Sequence, residues 1–482
     1  MTKYTFEDHT AAIRELAHEV LNFHTTDTPF RINHGSTNST RCRESSTPQL
    51  NIAHLNHILD IDATTKIATV EPNVPLDLLV TETLKKNLMP LVVMEFPGIT
   101  VGGGFSGASG ESSGWKEGLF DCSINEIEII LGNGDVKRAV KKGQNSDLFN
   151  GARCSLGTLG VVTLLTVQLT EAKGAVQLSY LLTSSVQETI DSLARLCDDE
   201  DADFDFIEGI LYSEDEGVII LGRQVHPTAA TTRHLLRQRF DRATDPWFYM
   251  HARDKANAHP EIVPTFSYLF RHDRGAFWSG AVFLKYYALP NNRFTRWLFN
   301  PIMTARAIYK AMLAVDSADG AIIQDLLLPA ETSDEFAQYV AQDLKIWPIW
   351  ICPIRKKAGE GDIKVSSRGK GALIFNFGVW GPTDPTPNAV YKTNRALEQK
   401  LRDLRGMKVP YAANFYTEDE LRKKWHAEAL PSMYDKVRRK QDQREAGDGK
   451  VSAETAALTW TETIFSIWPL TGLYQMFHAL FG

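Results

Sequence analysis

Residues Pro97–Gly118 read PGITVGGGFSGASGESSGWKEG, eight glycines and four serines in twenty-two positions, directly after the apolar run Leu91, Val92, Val93, Met94, which reads as a strand. Glycine serves where backbone turns through positive φ or must come close to something, and a row of exposed N–H groups favours an anion such as a pyrophosphate. A phosphate-bearing cofactor is therefore the first expectation. Gly102, Gly104 and Gly107 also spell G-x-G-x-x-G, the Rossmann fingerprint, which requires a helix to begin inside the motif. The chain runs on to Gly110, Gly114 and Gly118, each costing a helix interior about 1 kcal/mol relative to alanine, so the segment is not expected to sustain a helix. The bland alternative is a structural Gly/Ser turn region or linker, and the β-type apolar sequence on both flanks argues against a linker.

Upstream, ILDIDATTKIATVEPNV alternates Leu59, Ile61, Ala63, then Ala68 and Val70 about a polar turn, the pattern of short strands. Pro75 opens an expected helix carrying Leu78, Leu79 and Leu84 and closing at Asn87. Downstream, EIEIIL, the turn Gly132-Asn133-Gly134-Asp135 and VKRAV signal a hairpin. Asn145 to Phe149, the Gly157-Thr158-Leu159-Gly160 turn and the strand VVTLLTVQL follow. Beyond Ala175 the pattern changes to longer helices and wide aromatic strands: strand-like Tyr180–Leu182, a helix over 186–197, IEGILYS at 207–213, and central strands at 346–353 and 372–380.

With 482 residues and 43% apolar content the protein can bury a large core and is expected to form two or three domains. A formal charge of −7 without a long basic block argues against a nucleic-acid surface, local patches such as 422–424 notwithstanding. Cys42, Cys122, Cys154, Cys197 and Cys352 are odd in number and never in a CxxC arrangement, which disfavours a disulfide framework or a zinc site. No metal is expected. The acidic N-terminus, with Ile13, Leu16, Val20 and Leu21 at helical spacing, reads as an amphipathic helix and not as a secretion signal, so the protein is expected to be intracellular. After a charged stretch from Arg438, the end TWTETIFSIWPLTGLYQMFHALFG carries Trp460, Phe465, Trp468, Tyr474, Phe477 and Phe481, interrupted by Pro469 and Gly472. Two readings are evenly matched: an interfacial or re-entrant membrane segment, and a helix docked on the protein itself or on a second subunit.

The succession of hairpin, helix, TVGG loop, ESS, WKEGLF, strand, NGD turn, NSDLF and GTLG resembles the FAD-binding domain of the vanillyl-alcohol oxidase type, also called the PCMH type. IEGILYS, DPWFY, RHDRGAFW, QDLLLP and IWPIWICP resemble its delta(24)-sterol reductase branch, so the likeness runs from about Phe30 to about Tyr434.

This resemblance implies an α+β protein. A PCMH-type FAD-binding domain of two α+β subdomains would occupy 1–175, an α+β cap or substrate domain 176–410, a segment returning toward the flavin 411–436, and a charged linker with apolar tail 437–482. It implies FAD, with the pyrophosphate held by two loops and the isoalloxazine between the two domains. The first loop carries His34, Gly35, Ser36, Thr37, Asn38, Ser39 and Thr40. The second spans 100–113, with Thr100, Val101, Gly102, Gly103, Gly107, Gly110, Glu111, Ser112 and Ser113, while Gly157, Gly160, Val161 and Val162 line the adenosine side. Many relatives bind flavin covalently through a first-loop histidine; Asn38 stands at that place here, so dissociable FAD is expected, unless a shifted register brings His34 into play.

For the reaction, the resemblance implies that NADPH reduces FAD and that hydride then passes to an alkene in the tail of a sterol or similar isoprenoid or polyketide lipid. An isolated alkene accepts hydride poorly, so a proton donor is needed. His272, Glu208 and Tyr212 are the candidates, against the plain readings of a structural histidine, an arginine-paired carboxylate and a core aromatic. Trp247, Phe248, Phe266, Tyr268, Phe277, Trp278, Trp347 and Trp350 would suit a flat lipophile, although most such residues are ordinary core. A lipophilic substrate makes contact with a membrane through the tail reasonable and places the enzyme in the cytoplasm or at the endoplasmic reticulum. Oligomeric state stays open. The alternatives are an FAD-linked oxidase or dehydrogenase of such a lipid, and a flavin-fold scaffold or cyclase without net redox chemistry.

Overall fold

The computed structural model describes residues 4–35, 47–228, 236–256, 258–314, 321–356, 373–384, 387–409, 411–417 and 420. They form a mixed helix and sheet architecture around two large sheets, in keeping with the α+β expectation. The apolar tail and the end of the returning segment lie outside the described residues.

The 58–70 hairpin forms as Ile58–Asp62 and Ile67–Val70, turned by Asp62, whose carboxylate accepts from Thr64 N at 2.7 Å and the Thr65 hydroxyl at 2.8 Å. Next in the sheet come Gly160–Glu171, Ile124–Leu131 and Val136–Val140, all antiparallel, with Leu88–Pro90 on the remainder of Gly160–Glu171. Helix Leu76–Leu84 follows Pro75, buries Leu76, Leu79, Val80 and Thr83, and leaves Leu78 exposed. The N-terminal helix Phe6–Thr25 starts at a Thr5/Asp8 capping box and buries Ile13, Leu16 and Val20. His9, also buried, fixes this helix to the sheet, with Nδ1 2.7 Å from Glu71 and Nε2 3.2 Å from Glu128. Burial opposes its charge, yet the two carboxylates outweigh it and push its pKa up to about 9.

Two expectations need correction. The run Leu91–Met94 is not a strand: pairing is confined to Leu88–Pro90, and Val92, Val93 and Met94 are buried on irregular backbone beneath the glycine-rich segment. That segment does hold helix, Val101–Ser106, capped by Thr100, whose hydroxyl accepts from Gly103 N, and then one turn at Gly114–Glu117. Tertiary contact overrides glycine's low propensity here. A Cβ on Gly102 would lie 2.7 Å from Pro72 Cβ, and one on Gly104 2.4 Å from Met94 Cε, so only glycine lets the short helix sink against these neighbours. With Gly107 at its end after six residues, it is not the long helix of a Rossmann unit.

The polypeptide leaves the first sheet at Glu171 and enters the second at Ala175. The second sheet has nine strands in the order Leu236–Arg237, Glu261–Pro264, Ala175–Thr183, Glu216–Val225, Phe206–Ser213, Ile349–Arg355, Leu373–Pro382, Ala321–Pro329 and Met407–Lys408. Alternation splits its two faces. Ile207, Leu211, Ile349, Ile351, Phe375, Phe377 and Leu326 pack with helices Val186–Asp198, Ser333–Tyr339 and Pro387–Asp403. Residues on the opposite face, including Ile210, Tyr212, Trp350, Cys352, Ile354, Ile374, Trp380 and Leu327, share one core with Val92, Met94, Phe96, Phe105 and Phe120 of the first domain. That inward face is where Glu208, Asp325 and Asn376 also point, by the same two-residue period.

Candidate active site

Three backbone segments converge on the first domain's surface. Cys154 N and Leu156 N donate to Phe105 O and Ser106 O at 3.1 and 2.9 Å, joining the 154–160 turn to the end of the glycine-rich helix. Gly157 approaches Ile32 of strand Arg31–Asn33, and Gly35 follows that strand. Ala108, Cys154 and Leu156 all adopt positive φ, between 52° and 57°, strain that is unusual for residues with side chains and that gathers at binding sites. Gly35 and Gly103 are exposed, and Gly102, Ser109, Gly110 and 154–158 half-buried, so the convergence leaves backbone facing outward. Small residues carrying N–H and hydroxyl groups without counter-charge fit a pyrophosphate-bearing cofactor.

The site residues expected from sequence divide between this surface and the interior. Thr100 caps, Val101 is core, and Gly160, Val161 and Val162 open a buried strand. Ser36, Thr37, Asn38 and Ser39 lie outside the described residues. Glu111, Ser112 and Ser113 turn away from the loop's open face. Ser113 Oγ donates to Leu91 O at 3.0 Å, Ser112 O accepts from Ile207 N at 2.9 Å, and the Glu111 carboxylate lies 2.5 Å from Arg271 Nη2. The ESS motif thus stitches the first domain to the second sheet.

Arg271, fully buried, is the centre of that stitch and was not singled out from sequence. Its Nε donates to Glu208 Oε1 at 2.8 Å, its Nη1 to Tyr268 O at 3.0 Å, and its guanidinium lies 4.2 Å from the Tyr268 ring centroid. Glu208 also accepts from Trp350 Nε1 at 2.8 Å and meets His272 Nε2 at 3.0 Å. Burial would raise the Glu208 carboxyl, but the guanidinium beside it outweighs burial and holds the group ionised. One guanidinium faces two carboxyls, and burial lifts Glu111, so Glu111 is the one that takes a proton when the cluster's charge is in excess. Oxygen and nitrogen atoms of Glu111, Glu208 and His272 lie within 4.8 Å of one another, a spacing that suits a metal ion, yet Arg271 already supplies the cation there.

His272 stacks on Phe277 with ring centroids 3.9 Å apart, and its Nδ1 has no partner among the described residues. Burial dominates its titration and lowers its pKa to about 4, so the ring is neutral at physiological pH. Tyr212, also buried, donates a hydrogen bond from its hydroxyl to Tyr249 O. Of the expected aromatics, Trp247, Phe248, Tyr268, Phe277, Trp278 and Trp350 are all buried core, and Phe277, Trp278 and Trp350 each pack against Trp380.

A second acidic group shares this face. Asp325 Oδ2 accepts from Tyr411 OH at 2.5 Å and its Oδ1 from Asn376 Nδ2 at 3.0 Å. Across the sheet it lies in register with Gly378 and then Trp350. Burial lifts its pKa to about 6, with the two hydrogen bonds pulling the other way. Glu95, contributed by the first domain, is raised well above the usual carboxylate range by burial and then by the Asp325 charge. Phe96, next in sequence, packs edge-on to Phe277 and Tyr309, each 5.7 Å away, and tilts against Trp380 at 6.3 Å. Asp325 sits inside QDLLLP, a phrase whose likeness to relatives was visible; that it carried an inward carboxylate required the sheet register.

The FAD binding domain family model matches residues 10–139, the stretch that builds the glycine-rich surface and most of the first sheet. Residues 10–139 are therefore similar to an FAD binding domain. Over 314 residues it is 30% identical to a delta(24)-sterol reductase of Arabidopsis thaliana, covering 63% of this sequence and 56% of that one. The human delta(24)-sterol reductase is 26% identical over 411 residues, 80% of this sequence and 76% of its own length. A cytokinin dehydrogenase 9 of Oryza sativa subsp. japonica is 33% identical over 141 residues, 29% of this sequence and 26% of that one. The match spans little more than half the length of the plant reductases, at 56%.

Proposed function

We propose that the protein is an FAD-dependent oxidoreductase that reduces a C=C bond of a sterol or a similarly lipophilic substrate, with NADPH as the source of electrons. The observation that carries this reading is the inward face of the nine-stranded sheet, where an acid near its titration point, Asp325 under Tyr411, stands among Phe96, Phe277, Trp350 and Trp380. Similarity to delta(24)-sterol reductases over 80% of the sequence supports the substrate class.

Gly35, the 100–110 backbone and the 154–158 turn would hold the phosphates and adenosine side of FAD, which, bound and reduced, would supply the hydride. The protein supplies the proton. Neutral His272 has a partner at Nε2 and a bare Nδ1, which accepts and does not donate, and Tyr212 is committed to a carbonyl. Asp325 with Tyr411 fits general-acid work better, because an acid titrating near the working pH both holds and releases its proton readily. The aromatic wall excludes water, which an alkene protonation step requires. Free cysteines at all four described positions suit a reducing intracellular setting.

The test is the flavin spectrum. Acid- or heat-denatured protein should release its yellow colour to the supernatant, since Asn38 cannot form a covalent link. Anaerobic NADPH should bleach the native flavin and an unsaturated sterol should restore it without oxygen. Likeness to a cytokinin dehydrogenase keeps an oxidative reading alive. Slow bleaching by NADPH together with rapid reoxidation by air would replace the reductase reading with that one, and protein that neither carries nor takes up FAD would remove both.

A further inference from the structure

Segment 276–314 of the second domain contains no aspartate or glutamate, while Lys285, Arg293, Arg296, Arg306 and Lys310 lie within it, in a protein whose formal charge is −7. The same segment exposes four large apolar side chains. Tyr286 is 54%, Phe294 64%, Trp297 57% and Leu298 50% exposed, four of the eleven large exposed hydrophobics among the described residues. Ring contacts tie the patch together in two groups, Tyr286 on Tyr287 at 5.2 Å, Tyr287 on Phe283 at 4.9 Å and Phe283 on Phe299 at 6.2 Å in one, and Phe294 on Trp297 at 6.1 Å in the other. Below them Trp247, Leu284 and Met303 form a small core of their own, so the patch is a folded platform.

We propose that this platform, helices Ser279–Tyr286 and Arg293–Leu298, docks the protein onto an anionic lipid bilayer. Tryptophan, tyrosine and phenylalanine are the side chains that settle at the headgroup boundary, and the flanking cations choose the negatively charged surface. Two carboxylates reach the patch and offset part of its charge: Asp77 pairs with Arg306 at 3.0 Å, and Asp245 faces Arg296 while accepting from Arg242 N at 2.9 Å; Lys285 and Arg293 stand exposed on the two docking helices. Burial first, and then the neighbouring Arg293, disfavour the charge of Arg296, a cost that phosphate or carboxylate headgroups relieve. Helix Ser279–Tyr286 begins directly after Phe277 and Trp278, which line the inward aromatic wall, so docking would set the lipid surface beside the proposed substrate site.

The experiment is co-sedimentation of the full-length, FAD-loaded protein with phosphatidylcholine vesicles made with and without phosphatidylserine, a readout independent of any reductase activity. Wild-type protein should bind the phosphatidylserine vesicles and release with added salt. Phe294→Ser with Trp297→Ser should weaken binding at least about tenfold, and Lys285→Glu with Arg293→Glu should weaken it by about fivefold per charge. All four side chains are exposed or half-exposed, so flavin absorbance and melting temperature should stay at wild-type values. Wild-type protein that ignores both vesicle types overturns the proposal. So does unchanged binding by either double variant, loss of binding only when the protein is truncated from Leu458, or dissociation of a dimer by the apolar variant without change in vesicle binding.

Discussion

At the scale of single residues, the acid role proposed for Asp325 sets function against stability. Its carboxyl rises from the ordinary 3.8 to about 6 in the folded protein, so between those values the folded state holds more protons than the unfolded one. Stability tied to this group is complete below about pH 4 and falls as pH rises through 6, costing about 3 kcal/mol at pH 7 and above. Asparagine keeps the hydrogen-bonding shape and has no proton to lose. Asp325→Asn should therefore melt at higher temperature than wild type at pH 7 to 8 and with no difference near pH 4, while alkene reduction slows by roughly 100-fold or more. A melting series across pH, paired with single-turnover reoxidation of the reduced flavin, checks both halves; equal activity in the variant would take the acid role from Asp325. Arg271 works the other way. Arg271→Met strands Glu111 and Glu208 as buried carboxyls without a cation and should cost roughly 3–5 kcal/mol in urea unfolding. Arg271→Lys should recover only part of that, because an ammonium cannot reproduce donations to Glu208, Glu111 and the Tyr268 carbonyl at once.

At the scale of elements, the glycine-rich segment shows what a sequence can and cannot disclose. Its glycine content announced close backbone approach, yet the same glycines concealed the six-residue helix, because the contacts that hold it come from Pro72, Met94 and Phe120, distant in sequence. The hairpins at 58–70 and 126–140 were legible, since two-residue alternation and turn chemistry are local signals. The ionic stitch was not. Glu111, Glu208 and Arg271 lie up to 160 positions apart and become neighbours only when the second sheet's inward face meets the first domain. Gly103 allows the loop's role to be tested separately from its folding. A Cβ there would meet only the Thr100 hydroxyl, at 3.0 Å, whereas one on Gly102 would strike Pro72 at 2.7 Å. Gly103→Ala should keep the melting temperature of apo protein within a degree or two and still lower FAD affinity, read by flavin fluorescence on titration. Gly102→Ala should lower both. Unchanged FAD affinity in Gly103→Ala would move the cofactor off this loop.

At the scale of the whole molecule, the two sheets share an interior. Phe96, Phe105 and Phe120 of the first domain share a buried core with Tyr212, Trp350 and Trp380 of the second, and the Glu111–Arg271–Glu208 cluster crosses the same boundary with every member buried. Parting the domains would expose that apolar surface and leave buried charge unpaired, so neither can unfold while the other stays native at little cost. FAD bound as proposed should strengthen the coupling, because a ligand that binds only the folded state raises its stability with concentration. Thermal unfolding followed by far-ultraviolet circular dichroism and by the rise of released-flavin fluorescence should therefore give one coincident transition. Added FAD should move both signals upward together. Flavin released well before the loss of secondary structure, or a second transition that ignores added FAD, would show that the shared core does not bind the domains into one cooperative unit.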